Sequence, residues 1–267
     1  MIRDITIGQY YPVRSVIHKL DPRTKLAGTL IFIITVFLFR SVLGYAVATL
    51  FLAGVNIASK VPVKFIFKGL KAIFMILMIT MVFNILLTPG EVLWKFGIFK
   101  VTREGIALAV KMAVRLVYLV IGSSLMTLTT TPNQLTDGLE KSLRPLNKIH
   151  VPVHEIAMMM SIALRFIPIL LEETDKIMKA QIARGADFES GNLIQKVKNM
   201  VPLLVPLFIS AFRRANDLAM AMEARCYHGG DHRTQMKPLR YQKRDYMAYF
   251  VLFAYLAVAI VFRVVGL

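Results

Sequence analysis

The chain has 267 residues, 56% of them hydrophobic, with 33 Lys or Arg against 16 Asp or Glu and a net charge of +17. Its mean hydropathy of +0.59 lies above the range of soluble domains and marks an integral membrane protein. One cysteine, Cys226, excludes an intrachain disulfide, and basic residues gathered between apolar runs, without interleaved stacking aromatics, argue against nucleic acid as a partner.

The N-terminal stretch carries no apolar h-region before a small-residue cleavage site, so no removable signal peptide is expected. Apolar runs over 26–39 and 42–59, separated by Arg40 and Ser41, predict a helical hairpin. Further runs over 72–87, 106–128 and 247–264 bring the expected spans to five. Arg3, Arg14, Lys19, Arg23 and Lys25 precede the first span, and Lys60, Lys64, Lys68 and Lys71 link the second to the third. The N-terminus and that link are therefore predicted to be cytoplasmic, the segment after the fourth span likewise, and the C-terminus outside. The link 89–104 is expected to form a short hairpin around Gly97 or an interfacial loop. Lys111 and Arg115, one turn apart in the fourth span, either snorkel to the outer headgroups or face a cavity or partner helix.

Residues 132–244 are too long for a loop and too patterned for disorder. Helix candidates cover 132–143, 154–182 with an interruption near Pro168, and 193–223 in more than one piece because of Pro202 and Pro206. The expected fold class is thus an all-α integral membrane protein with about five transmembrane helices and a set of stacked amphipathic helices. Its parts are 1–131 with four spans, the insertion 132–244, and a C-terminal span in 245–267. The 15 methionines suit either lipid-facing filler and core or a surface that repacks against different partners.

Two arginine triplets recur inside the insertion: Ala183-Arg184-Gly185 and Ala224-Arg225-Cys226. Before Arg184 runs the stripe Ile167, Leu170, Leu171, Thr174, Ile177, Met178 and Gln181; at the same offsets before Arg225 stand Phe208, Ala211, Phe212, Ala215, Leu218, Ala219 and Met222. The spacing is that of an amphipathic helix, which puts each arginine at the edge of an apolar face near a helix end. Gly185, Gly229 and Gly230 supply stop signals. One such arginine needs no more than a helix dipole to explain it. Two at one helical phase favour a paired socket, because a planar guanidinium bonds several oxygens while its stem packs on apolar walls. The expected counterpart is a pair of similar acidic grooves on a dimeric partner.

Other chemistry is missing. No GxxxxGK[ST] occurs, so any ATP is hydrolysed on another chain. His154-Glu155 begins like a zinc-protease helix but lacks the second histidine. His228 and His232 are separated by Gly229-Gly230, and no carboxylate or thiolate cluster accompanies them, so no metal site is expected. Asp137-Gly138 lacks the further aspartates of a lipid head-group transferase. The alternatives to a coupling role are a self-sufficient permease, which calls for inverted repeats with polar midplane sites, and a membrane-embedded lipid head-group enzyme.

The stretches LDPRTKL (20–26), ALRFIPILLEE (163–173), QIARGADF (181–188) and FRRANDLAMAMEARCY (212–227) resemble the transmembrane coupling proteins, EcfT, of energy-coupling factor transporters. The resemblance covers nearly the whole chain, and the paired arginine motifs are its most specific part. It implies a non-catalytic subunit of an ATP-driven importer for a vitamin or other micronutrient, in the cell membrane, with residues 132–244 as a cytoplasmic coupling domain. Ala183, Arg184, Gly185, Ala224, Arg225 and Cys226 would then dock on two ATP-binding-cassette subunits, which would carry the ATP and magnesium; this chain would need no cofactor. Ile167, Leu170, Leu171, Met178, Phe208, Phe212, Leu218 and Met222 would contact a substrate-binding S-component, either one or several in exchange. Cys226 departs from the Ala-Arg-Gly form, which puts the local turn in question rather than the arginine.

Overall fold

In a computed structural model, residues 10–39, 41–96, 99–188, 192–229, 236 and 238–265 are described. Arg40, Gly97, Gly230 and His232 lie outside them. The chain divides into two compact units, one comprising Gly8–Gly138 and Leu239–Leu267 and the other Leu139–Pro238.

The first unit holds α1 (Pro22–Leu38), α2 (Val42–Ser59), α3 (Val63–Leu87), the strands β1 (Val92–Phe96) and β2 (Phe99–Thr102), α4 (Arg103–Thr129) and α8 (Lys243–Val265). The hairpin expected in the link 89–104 is present as the antiparallel pair β1–β2, with Phe96 opposite Phe99 and Lys95 opposite Lys100. Thr102 turns it into α4, accepting from the Gly105 amide at 3.1 Å and donating to the Thr88 carbonyl at 2.8 Å.

Helix α1 packs on both α4 and α8. Its Phe32 ring lies 5.9 Å from that of Phe51, which stacks on Tyr255 at 4.3 Å. The buried Thr35 hydroxyl meets the Tyr255 hydroxyl at 3.0 Å, so the polar tip of the tyrosine is satisfied inside an apolar core. A Cβ on Gly122 would come within 2.8 Å of Phe32; glycine there lets α4 approach α1 closely, as membrane helices do where dispersion rather than water drives packing.

A polar knot closes one end of this unit, and it is built from the LDPRTKL stretch. Asp21 caps α1 and Pro22 opens it, a start that needs no amide at the first helical position. The Asp21 carboxylate also takes two bonds from the Arg23 guanidinium, at 3.0 and 2.9 Å, and that guanidinium lies 3.9 Å over the Tyr241 ring. Asp245, 2% exposed, accepts from the amides of Asp21 at 2.8 Å and Gln242 at 2.7 Å. One carboxylate thus ties the start of α1 to the start of α8. Lys25 donates from Nζ to the Thr129 carbonyl at 2.7 Å, capping the end of α4. His18 Nε2 donates to the Tyr11 carbonyl at 3.0 Å while Nδ1 faces the Ser15 hydroxyl at 2.7 Å; a neutral ring meets both contacts, and burial lowers its pKa accordingly.

Arg115 contacts neighbouring helices near the start of α2 and the end of α1. It bonds the Tyr45 hydroxyl at 3.3 Å and lies 5.1 Å over the Phe37 ring, turned toward α2 and α1; Lys111 is exposed.

Helix α5 (Pro132–Leu143) leads into the second unit, which holds α6 (Val153–Ala183) and α7 (Leu193–Ala224). The interruption expected near Pro168 and the break expected at Pro202 and Pro206 do not occur: both helices run through their prolines. For Pro206 the reason is visible. A proline denies a bond to the carbonyl four residues earlier, here that of Pro202, and the Gln181 side chain supplies the missing donor at 3.3 Å. Glu173 and Arg214 add an ion pair at 3.3 Å between the same helices.

Among the described residues, α2, α4, α6 and α8 are long and apolar enough to cross a membrane, and α3 is a fifth when its parts Val63–Lys71 and Ile73–Leu87, bent by 59°, count as one span. The number matches the expected five, but the set differs. Helix α1 has 17 residues, at the lower end of what a bilayer crossing takes, while α6 qualifies because Arg165 is its only charge between Ile156 and Leu171.

Candidate docking site

The two arginine triplets terminate α6 and α7 in the same way. Ala183 and Ala224 are the last helical residues, and Arg184 and Arg225 are the C-caps, with φ, ψ of −87°, 4° and −94°, 14°. Next come Gly185 at φ +88° and Cys226 at φ +56°, both left-handed. The Gly185 amide bonds the Ile182 carbonyl at 2.9 Å and the Ala186 amide that of Gln181 at 3.0 Å. At the second motif, Cys226 bonds Glu223 at 2.8 Å and Tyr227 bonds Met222 at 3.0 Å. This paired pattern is the Schellman motif, in which a residue of positive φ folds the chain back over the last helical carbonyls. The stop expected from Gly229 falls to Cys226, three residues earlier; Gly229 is left-handed too, at φ +98°, but lies beyond the helix. The departure of Cys226 from glycine therefore leaves the turn geometry unchanged.

That identity has an energetic consequence. A side chain in the left-handed region costs about 1 kcal/mol relative to glycine, so Cys226→Gly should raise the thermal stability of the purified chain and Gly185→Ala should lower it by a similar amount. Melting followed by intrinsic fluorescence measures both; equal melting temperatures for the two variants would show that the turns are not held as described.

Arg184 and Arg225 are exposed, and among the described residues neither guanidinium has a hydrogen-bond or ion-pair partner. Their backbones are fixed while their donors stay free for an external acceptor. The first motif is also tied to the proline region of α7, through Gln181 and through Asn199, whose side-chain amide donates to the Asp187 carbonyl at 2.7 Å. From Pro202 to Arg225 the helix makes about six turns, on the order of 35 Å. The two arginine motifs are spaced by a helix rather than gathered at one point.

The apolar stripe divides. Ile167, Phe208 and Phe212 are exposed, the two phenylalanines at 62% and 66% with their rings 6.4 Å apart. Leu170, Leu171, Met178, Leu218 and Met222 are half-buried. The sequence reading missed the N-terminal half of α7, where Ile194, Val197, Val201 and Val205 continue the exposed face toward Phe208. Their spacing of three and four residues was the available signal, masked by reading Pro202 and Pro206 as breaks. His154, the apparent zinc-site residue, instead contacts the Glu140 carboxylate through Nδ1 at 2.9 Å, and no cluster of three metal-ligating side chains occurs among the described residues.

Comparison with known proteins bears on the whole of this arrangement. The family model for CbiQ, described as a cobalt transport protein, matches residues 13–236. Curated relatives include the energy-coupling factor transporter transmembrane protein EcfT of Clostridium kluyveri, 58% identical over 99% of this chain and 98% of its own. The EcfT protein of Ruminiclostridium cellulolyticum is 57% identical over 92% of both chains. That of Bacillus subtilis is 50% identical over 92% of this chain and 93% of its own.

Proposed function

The chain belongs to the CbiQ and EcfT family of transmembrane components of energy-coupling factor transporters, and on that premise we propose that it couples two ATP-binding-cassette ATPases to a substrate-binding S-component during uptake of a vitamin or other micronutrient. The observation that carries this reading is the pair of matching helix ends whose arginines have no partner among the described residues. Each guanidinium enters an acidic groove of one ATPase. A helix of about six turns between the sockets suits grooves on two separate subunits that approach each other when ATP binds. ATP and magnesium belong to those subunits, and this chain transmits motion without catalysing a reaction.

The coupling helices lie on the cytoplasmic side. If α6 crossed the membrane, Arg184 would stand outside, and α7, which carries Lys196, Lys198, Arg213, Arg214 and Asp217, could not bring Arg225 back through the bilayer. Keeping α6 and α7 in the cytoplasm or at its interface places both arginines where ATP is, with the N-terminus cytoplasmic and the C-terminus outside. The apolar face through Phe208 and Phe212 then serves the S-component, and closure of the ATPases drags Arg184 and Arg225 with their helices, tilting or expelling the S-component so that substrate leaves inward.

Affinity purification of the chain from its native membrane in mild detergent, with identification of its companions, tests the assignment. Two ATP-binding-cassette subunits and at least one small hydrophobic protein should co-purify with ATPase activity. A chain that purifies alone and transports solute when reconstituted alone would establish the permease alternative.

A further inference from the structure

A groove of 420 Å³ opens in the first unit between the N-terminal halves of α1 and α8 and the C-terminal ends of α2 and α4. Its walls are apolar, including Phe32, Phe51, Val55, Leu125, Val251 and Leu252. A second recess of 310 Å³ adjoins it, sharing Val16, Ala58 and Arg244, and carries Arg14, Lys19 and Lys60 as well. Among the described residues no acidic side chain lines either space. The four cations come from separate segments: Arg14 and Lys19 from the chain leading into α1, Lys60 from the left-handed C-cap of α2 and Arg244 from the first turn of α8. Among the described residues none of the four has an ion-pair partner; Arg244 donates only to the Gln242 side chain at 2.7 Å.

We propose that this composite site holds an anionic glycerophospholipid, with an acyl chain in the groove and the phosphate at Arg14, Lys19, Lys60 and Arg244. An apolar groove between membrane helices is filled by hydrocarbon more favourably than by water. Four unneutralised cations at one end of it select a negative headgroup over a zwitterionic one. The orientation proposed above makes this the cytoplasmic leaflet; the lipid site itself does not rest on that reading. Gly54 gives the groove a handle: it lines the space, and a Cβ added there meets nothing within 4 Å. A large side chain at Gly54 can fill the groove while improving the local helix propensity.

The full chain, purified in mild detergent, is offered phosphatidylglycerol and phosphatidylcholine with identical dioleoyl chains, and lipid retention is read by native mass spectrometry. Phosphatidylglycerol should be retained about tenfold more strongly, an effect on the scale of a few basic contacts. Gly54→Phe should reduce retention of both lipids, and the combined Arg14→Gln, Lys19→Gln, Lys60→Gln, Arg244→Gln variant should lose the preference while keeping its melting temperature. Equal retention of the two lipids, or a preference that survives in the combined variant, would overturn the proposal. So would displacement of phosphatidylglycerol by millimolar inorganic phosphate, which would indicate a free-anion site, or its loss when partner subunits assemble, which would assign the groove to a protein. The lipid preference and its loss in the variants are read on this chain alone, whichever ATPases co-purify.

Discussion

Replacing Arg184 and Arg225 together by alanine should abolish coupled uptake while leaving the chain folded in the membrane. Each arginine is exposed and its side chain has no hydrogen-bond partner among the described residues, while the helix ends are capped by backbone bonds, so the Schellman turns survive truncation. What is lost lies on the partner: a buried arginine anchor at a protein interface is worth about 2 kcal/mol or more, and its removal leaves acidic groups unpaired. Two such losses amount to roughly a thousandfold in affinity. Co-purification with the ATPases should fall accordingly, each single variant showing an intermediate defect. Arg→Lys at either position should rescue only partly, because an ammonium cannot reproduce the planar fork. Unchanged substrate uptake by the double variant would refute the docking role.

Asp245→Ala should produce the largest loss of stability in the membrane unit. The carboxylate is 2% exposed and accepts from two backbone amides belonging to different helix starts. Removing it strands the buried Asp21 amide, at a cost of about 1–3 kcal/mol, and leaves the part-buried Gln242 amide without its acceptor. Asp245→Asn keeps one carbonyl oxygen and should recover part of the loss. Thermal unfolding in detergent measures the series; an alanine variant that melts with the parent chain would mean that the knot contributes nothing. The Arg23 and Lys25 contacts lie in the same cluster, so combined variants should be non-additive.

The sequence made some of this legible and hid the rest for physical reasons. Apolar runs located five long helices and the hairpin between α3 and α4, because hydropathy over a bilayer's width is a strong signal. The recurrence of Ala-Arg at one helical phase found both motifs without any alignment. The prolines misled: Pro168, Pro202 and Pro206 look like breaks until a side chain such as Gln181, distant in sequence, is seen to satisfy a freed carbonyl. The turn at Cys226 was assigned to Gly229 because left-handed conformation is ordinarily glycine's, whereas here the backbone bonds of the motif impose it on cysteine. Asp245 was invisible as a structural residue, since nothing in its neighbourhood reveals that it reaches Asp21, 224 positions earlier in the chain.

The only cysteine of the chain lies in the second motif and is exposed, which makes it a natural reporter of docking. A membrane-impermeant maleimide should label Cys226 in inside-out vesicles that contain this chain alone, and should fail to label it once the two ATPases are co-expressed. In a Cys226→Gly background, Gly185→Cys should report the first motif in the same way. Protection of both positions by the ATPases is the result this account predicts; labelling that is unaffected by their presence, or that occurs only from the outer face, would contradict it.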